Sequence, residues 1–323
     1  MNIKIIKESI LPKNPICILL LLLLMENCSS LPNRNFENHN FSKVLNTKEF
    51  TPEKPKFVPP IIIFEPLLLK ETALYRIEDN TEKGLIPFLN EEGYTVYLVS
   101  SKTKNPDFKL NAKETDVILN QIADKHKNRD VILAGVSLGG QSVLEYMTLP
   151  TNLNNFARVK KIFFIGTGID YNYSNSFLEK SETLGYDEKP IEALCKENKR
   201  DNFCSRFIWF NNALQSVDNT KKETFFHQVP KMEKNYISRF HPSKLQTAYF
   251  FLYGKLDSIS PEESIYPFFH TIRLGASKGN SQNTLYEAGE ANGHTIDYDH
   301  ADLFVYPKAE KEIYSELVDW LNK

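Results

Sequence analysis

"VILAGVSLGGQS", residues 131–142, is the stretch on which the reading of this chain turns. An apolar, mostly β-favouring run enters Gly135-Val136-Ser137-Leu138-Gly139-Gly140, and helix-compatible residues follow. A strand that turns sharply into a helix at a serine exposes the hydroxyl above the sheet. The positions two before and two after that serine must then be tiny, because their Cβ atoms would collide. Gly135 and Gly139 meet that demand, and Gly140 adds room where the helix packs. The helix N-terminus also brings backbone N–H groups and a positive dipole end near any oxyanion formed at Ser137. At ~7% usage per fixed residue, the three fixed letters alone turn up about 0.1 times in a chain this long. The plain alternative is a helix-start turn with no chemistry.

A serine hydroxyl is a poor nucleophile without a base, so the pattern demands a histidine and an orienting acid, in the chain order Ser, Asp, His. The acid is expected in a loop after a late strand, and "GKLDSISP" (254–261) supplies Asp257 there, with Asp170 after "KIFFIG" as the reserve. The base belongs in the loop before the last helix. "NGHTIDYDHADLF" (292–304) offers His300 and His294, of which His300, followed by "ADLF", is the better placed. Asp302 then reads as a supporting carboxylate.

Around this centre, strand and helix signals alternate. "IIIF" (61–64) is a buried-type strand, "EKGLIPFLNEEG" a helix closing at Gly93, and "YTVYLVS" a strand. "AKETDVILNQIADKHK" places Val117, Ile118, Ile122 and Ala123 on one helical face; strand "DVILAG", helix "GGQSVLEYM" and strand "KKIFFIG" follow. Alternation lapses from about 171 to 245, a stretch rich in aromatic and charged residues. It then resumes with "TAYFFLYG", "PEESIYPFFHTI", "NTLYEAG" and a closing helix through "AEKEIYSELVDWLNK". Such repetition predicts an α/β fold, a mostly parallel sheet flanked by helices, with a cap or lid inserted at about 171–245.

The N-terminus reads as a targeting segment. Lys4, Lys7 and Lys13 precede "PICILLLLLLM", about the length of a signal-peptide apolar region and short of the ~20 residues that span a bilayer. "MENCSS" follows, so residues 1–27 form the expected signal peptide. An apolar run closing on a cysteine resembles a bacterial lipoprotein signal, in which Cys28 becomes the lipidated first residue. Glu26 and Asn27 depart from the usual small residues and leave cleavage after Ser29 or Ser30 open. The expected address is the cell envelope, with a lipid anchor as the membrane partner. Residues 28–58, rich in Asn, Pro and charge, read as a flexible tether ahead of a domain at 59–323. Cys195 and Cys204 could close a small disulfide loop outside the cytoplasm or stay as buried thiols; without a Cys-x-x-Cys or His-x-x-x-His partner, no metal site is expected.

With these motifs in view, the chain resembles an α/β-hydrolase. Residues 59–100, "PPIIIFEPLLLKETALYRIEDNTEKGLIPFLNEEGYTVYLVS", are similar to the corresponding region of polyhydroxyalkanoate synthases, and "HADLF" resembles the His-x-Asp-Phe of acid lipases. The synthases carry cysteine at the elbow, where this chain has Ser137. A thiolate suits thioester transfer, whereas a His-activated serine suits ester, lipid or thioester hydrolysis. The resemblance implies a serine hydrolase of a small-molecule or lipid acyl ester, needing no cofactor. It places one oxyanion donor at the Leu138 N–H and a second in "FEPLL", where Pro66 has no N–H to give and Leu67 is next in line. An acyltransferase or thioesterase on the same residues, and a surface binding module that kept the fold, are the rival readings. Net charge −2 gives no basic footprint for nucleic acid, and 41% apolar content suffices for a large core. The sequence leaves the oligomeric state open.

Overall fold

Two interleaved sets of buried side chains build the molecule, one on each face of a single sheet. The computed structural model describes residues 36–66, 74, 84–103, 107–127, 130–150, 152–170, 236–240, 244, 247–257, 259–275 and 282–323. Among these the strands are β1 (Phe36–His39), β2 (Leu45–Phe50), β3 (Ile61–Phe64), β4 (Val96–Ser101), β5 (Val131–Val136), β6 (Val159–Ile165), β7 (Ala248–Gly254) and β8 (Thr284–Ala288). Their order is β1-β2-β4-β3-β5-β6-β7-β8, with the β1–β2 and β2–β4 pairs antiparallel and every pair from β4 through β8 parallel.

The continuous apolar runs of the central strands follow from burial on both faces. Ile61 and Ile63 of β3, Ala134 and Val136 of β5, and Phe250 and Leu252 of β7 point to one side. There they meet the helix α1 (Leu85–Glu91) through Leu85, Ile86 and Leu89, and the C-terminal helix through Ile313, Leu317 and Trp320. Ile62, Phe64, Leu133, Phe164 and Phe251 point to the other side. That face is covered by α2 (Phe108–Lys125), α3 (Gly140–Thr148) and a long helix, Glu262–Gly275. Gly93 closes α1 with φ +86°, a left-handed cap that favours glycine. Asp107 caps α2 by accepting from Leu110 N–H at 3.0 Å. The inward stripe of α2 includes Ala112, Ile118, Leu119, Ile122 and Ala123, whereas Val117 faces outward.

The predicted tether is corrected by the structure. Residues 36–50 form β1 and β2, which extend the sheet on its antiparallel side. In β2 the buried positions do alternate, as Leu45, Thr47 and Glu49, but two of the three are polar, so the two-residue period is invisible in hydrophobicity. Glu49 tolerates burial because His39 Nε2 lies 2.6 Å from its carboxylate and the Lys125 ammonium bonds it from α2. Residues 1–35, with the expected signal segment and Cys28, lie outside the described residues, as do Cys195 and Cys204. Of the expected cap only 236–240 and 244 are described. Lys244, fully buried, donates to Met147 O at 2.9 Å, to Leu149 O at 2.6 Å and to Asn152 Oδ1, occupying the carbonyls at the end of α3.

Candidate active site

β5 sits beside β3, and the chain's return to opposite sides of β3 makes that pair a switch point, where crevices form at the carboxyl ends of parallel strands. The turn after β5 occupies that position. Ser137 there has φ +47°, a left-handed backbone that costs an L-residue roughly 1–2 kcal/mol. The glycines around it have no substitute. A Cβ on Gly135 would stand 2.3 Å from Gly140 Cα, and one on Gly139 would stand 2.3 Å from the carbonyl oxygens of both Phe64 and Glu65. One on Gly140 would strike Thr167 Cγ2, also at 2.3 Å. Thr167 Oγ1 lies 2.9 Å from Ser137 O and 3.2 Å from Gly135 O, so the loop after β6 clamps the strained turn from the side.

Three elements far apart in sequence converge on this serine. His300, in the loop after β8, places Nε2 2.9 Å from Ser137 Oγ and Nδ1 2.9 Å from Asp257 Oδ2. Asp257 follows β7 and is 2% exposed; its other oxygen accepts from Ile259 N–H at 2.9 Å and Ser260 N–H at 2.8 Å. Ser260 Oγ in turn donates to Gly166 O. An ionised carboxylate only accepts hydrogen bonds, so Nδ1 carries the imidazole proton. Nε2 is then left as an acceptor facing the serine hydroxyl. Burial by itself would lower the pKa of His300, but the charge and hydrogen bond of Asp257, with the charge of Asp299, outweigh it and leave the pKa raised above 6.5.

His294 is elsewhere employed. Its Nδ1 accepts from Gly289 N–H at 2.8 Å, and its Nε2 lies 2.9 Å from Tyr286 Oη, so it ties β8 to its own loop. Asp170 follows β6, with its N–H on Ser264 O at 2.8 Å; the acid on His300 is Asp257. Leu138 opens the helical run after Ser137, where the first N–H groups lack an earlier carbonyl partner. Leu67 lies outside the described residues. Glu65 N–H is bound to Val99 O at 3.0 Å, so the sheet already uses that donor. The contact of Gly139 with the Phe64 and Glu65 carbonyls seats the end of β3 against the elbow.

The fold is that of the α/β-hydrolases. Solved structures that share it include a membrane phospholipase A described as a bacterial virulence factor, at 13% identity and TM-score 0.56, covering 96% of this chain and 99% of that one. An esterase from Exiguobacterium antarcticum matches at 13% identity and TM-score 0.55, over 90% and 99% of the two chains. The 2-hydroxy-6-oxo-6-phenylhexa-2,4-dienoate hydrolase of Rhodococcus sp. strain RHA1 matches at 11% identity and TM-score 0.57, again over 90% and 99%. No protein-family model matches the chain, and no curated protein matches it in sequence. Among the described residues, no helix is long and apolar enough to cross a membrane.

Within this α/β-hydrolase fold, sequence reasoning passed over Asp299. Its Oδ1 accepts from Ala301 N–H at 2.8 Å and Asp302 N–H at 2.9 Å, while Asp302 Oδ2 accepts from Asp299 N–H at 3.0 Å. The two carboxylates, three positions apart, thus clamp the turn that carries His300 by reciprocal bonds to each other's backbone. A group of metal-ligand type also occurs away from the elbow. Glu37, His39 and Glu49 each bring one ligand-type atom within 4.8 Å of the others, and Lys125 supplies a cation there.

Proposed function

We propose that the protein is an exported serine hydrolase of carboxylic esters, acting through Ser137, His300 and Asp257. The observation that carries this reading is the hydrogen-bonded row from Ser137 Oγ through both nitrogens of His300 to Asp257, set on a backbone turn with φ +47°. His300 Nε2 takes the Ser137 proton as Oγ attacks the ester carbonyl, and the oxyanion meets the Leu138 N–H, with Leu67 N–H as the second donor. The imidazolium, held by Asp257, returns that proton to the departing alkoxide as the ester C–O bond breaks. Water then attacks the acyl-serine, giving its proton to His300, which passes it back to Ser137 Oγ as the acid leaves. Esterases and a phospholipase share the fold, which supports an acyl ester as the substrate class. The signal-like N-terminus supports export with a lipid on Cys28.

The test is hydrolysis of short- and medium-chain p-nitrophenyl esters by the purified protein and by Ser137→Ala. A fall of at least about 10³-fold in kcat is expected for the variant, because nucleophile removal typically costs several orders of magnitude. Equal rates in the two proteins would end the proposal, and faster transfer to an added alcohol or thiol than to water would reassign it to acyl transfer. In cells, the same activity should partition with membranes and lose that association in Cys28→Ala.

A further inference from the structure

The histidine loop is closed by two carboxylates that never touch Ser137. Asp299 Oδ1 receives the N–H groups of Ala301 and Asp302, and the Asp299 N–H goes back to Asp302 Oδ2. His300 lies inside that reciprocal clamp, between its two arms. The ring is confined as well: Phe304 stands edge-on at 5.9 Å, and a Cβ added to Gly166, whose φ is +56°, would sit 3.0 Å from His300 Cε1. Charge converges on the same ring. Asp257 approaches from the turn after β7, Asp299 adds its charge from the adjoining position, and the elbow contributes the neutral Ser137.

We propose that Asp299 is a positioning residue for His300, fixing the loop with Asp302 so that Nε2 faces Ser137 and adding its negative charge to that of Asp257 in favour of the imidazolium. The inference rests on reading Ser137 as nucleophile and His300 as base. Burial, and then the charge of Asp257, push the Asp299 carboxyl up to about 6. The charge of Asp299, like that of Asp257, acts to raise the His300 pKa above its ordinary 6.5. A base works only when neutral, so activity climbs as pH rises through the pKa of His300. Removing the Asp299 charge lowers that pKa and carries the acid limb of the profile to lower pH.

Asp299→Asn separates clamp from charge, since its amide oxygen still accepts both N–H bonds. The midpoint of the acid limb of kcat/KM should move down by about one pH unit, the scale of a nearby charge. The His300 ring-proton titration by NMR should move by the same amount. Asp302→Ala does the converse, removing the return arm but keeping the charge: the plateau falls while the midpoint stays. An unmoved midpoint together with an unmoved NMR titration in Asp299→Asn overturns the proposal. Should that variant not fold, Asp299→Ser keeps one acceptor and carries the same comparison. If the unaltered protein turns over no ester, the proposed function fails, while the NMR titration still decides the role of Asp299.

Discussion

Among the described residues, His39 and His300 each sit against a carboxylate, and of the two His300 faces a serine. His39 pairs with Glu49 at 2.6 Å, with side chains 11% and 7% exposed; His300 pairs with Asp257 at 2.9 Å, with side chains 10% and 0% exposed. Burial and pairing therefore do not tell them apart. The surroundings do. Glu49 is also bonded by the Lys125 ammonium, and the His39 ring stacks on Phe41 at 4.6 Å, so that group already contains its cation. Asp257 is instead steadied by two backbone N–H groups, and a positive charge arrives there only when His300 takes a proton. One cluster is closed; the other is one proton short of balance, with a strained serine at the open end. A His–carboxylate pair becomes a candidate for catalysis through what its second nitrogen meets.

That contrast breaks most visibly under paired alanine substitutions. His300→Ala should lower kcat on p-nitrophenyl esters by roughly 10³-fold or more, because it removes the base. His39→Ala should keep kcat within about twofold and lower Tm, since it strands part of the Glu49 carboxylate. Steady-state kinetics and thermal unfolding of the two variants side by side check this. Large activity losses in both would erase the distinction.

A smaller effect sharpens the closed cluster. Burial alone would raise the Glu49 pKa, but its bonds to Lys125 and His39 prevail and hold it below the ordinary 4.5. A carboxyl whose folded pKa is depressed adds stability in full above its unfolded value and loses it as pH falls through the folded one. Glu49→Gln should thus cost about 1–3 kcal/mol at pH 7, the usual penalty for breaking a buried charge-assisted bond. The gap in urea midpoint between parent and variant should shrink as pH falls below the ordinary carboxylate range. A constant gap from pH 7 to pH 3 would contradict the assignment.

How far the sequence carries depends on what each segment buries. Strands β3, β5, β6 and β7 were legible because helices cover both their faces and nearly every residue is apolar. The elbow was legible because steric demand leaves glycine as the only fit at 135, 139 and 140. Asp257 and His300 could be placed from chain order, strand ends and the "ADLF" that follows His300; what the fold adds is that His294, in the same loop, is spent on Gly289 and Tyr286. β1 and β2 were illegible because Thr47 and Glu49 occupy inward positions, and a buried charge reads as solvent-facing until its partners, ten and seventy-six positions away, are known. Asp299 hid in plain view, its role set by backbone bonds that composition does not report.

The most direct test of the central claim is fluorophosphonate labelling of the native protein, followed by peptide mass mapping. An activated serine displaces fluoride and keeps the phosphonyl group on its oxygen, whereas an ordinary hydroxyl stays unmodified. One adduct is expected, on the peptide that contains Ser137, absent from His300→Ala and from heat-unfolded protein. A native protein that takes no label, or that carries it on another serine, would contradict the account.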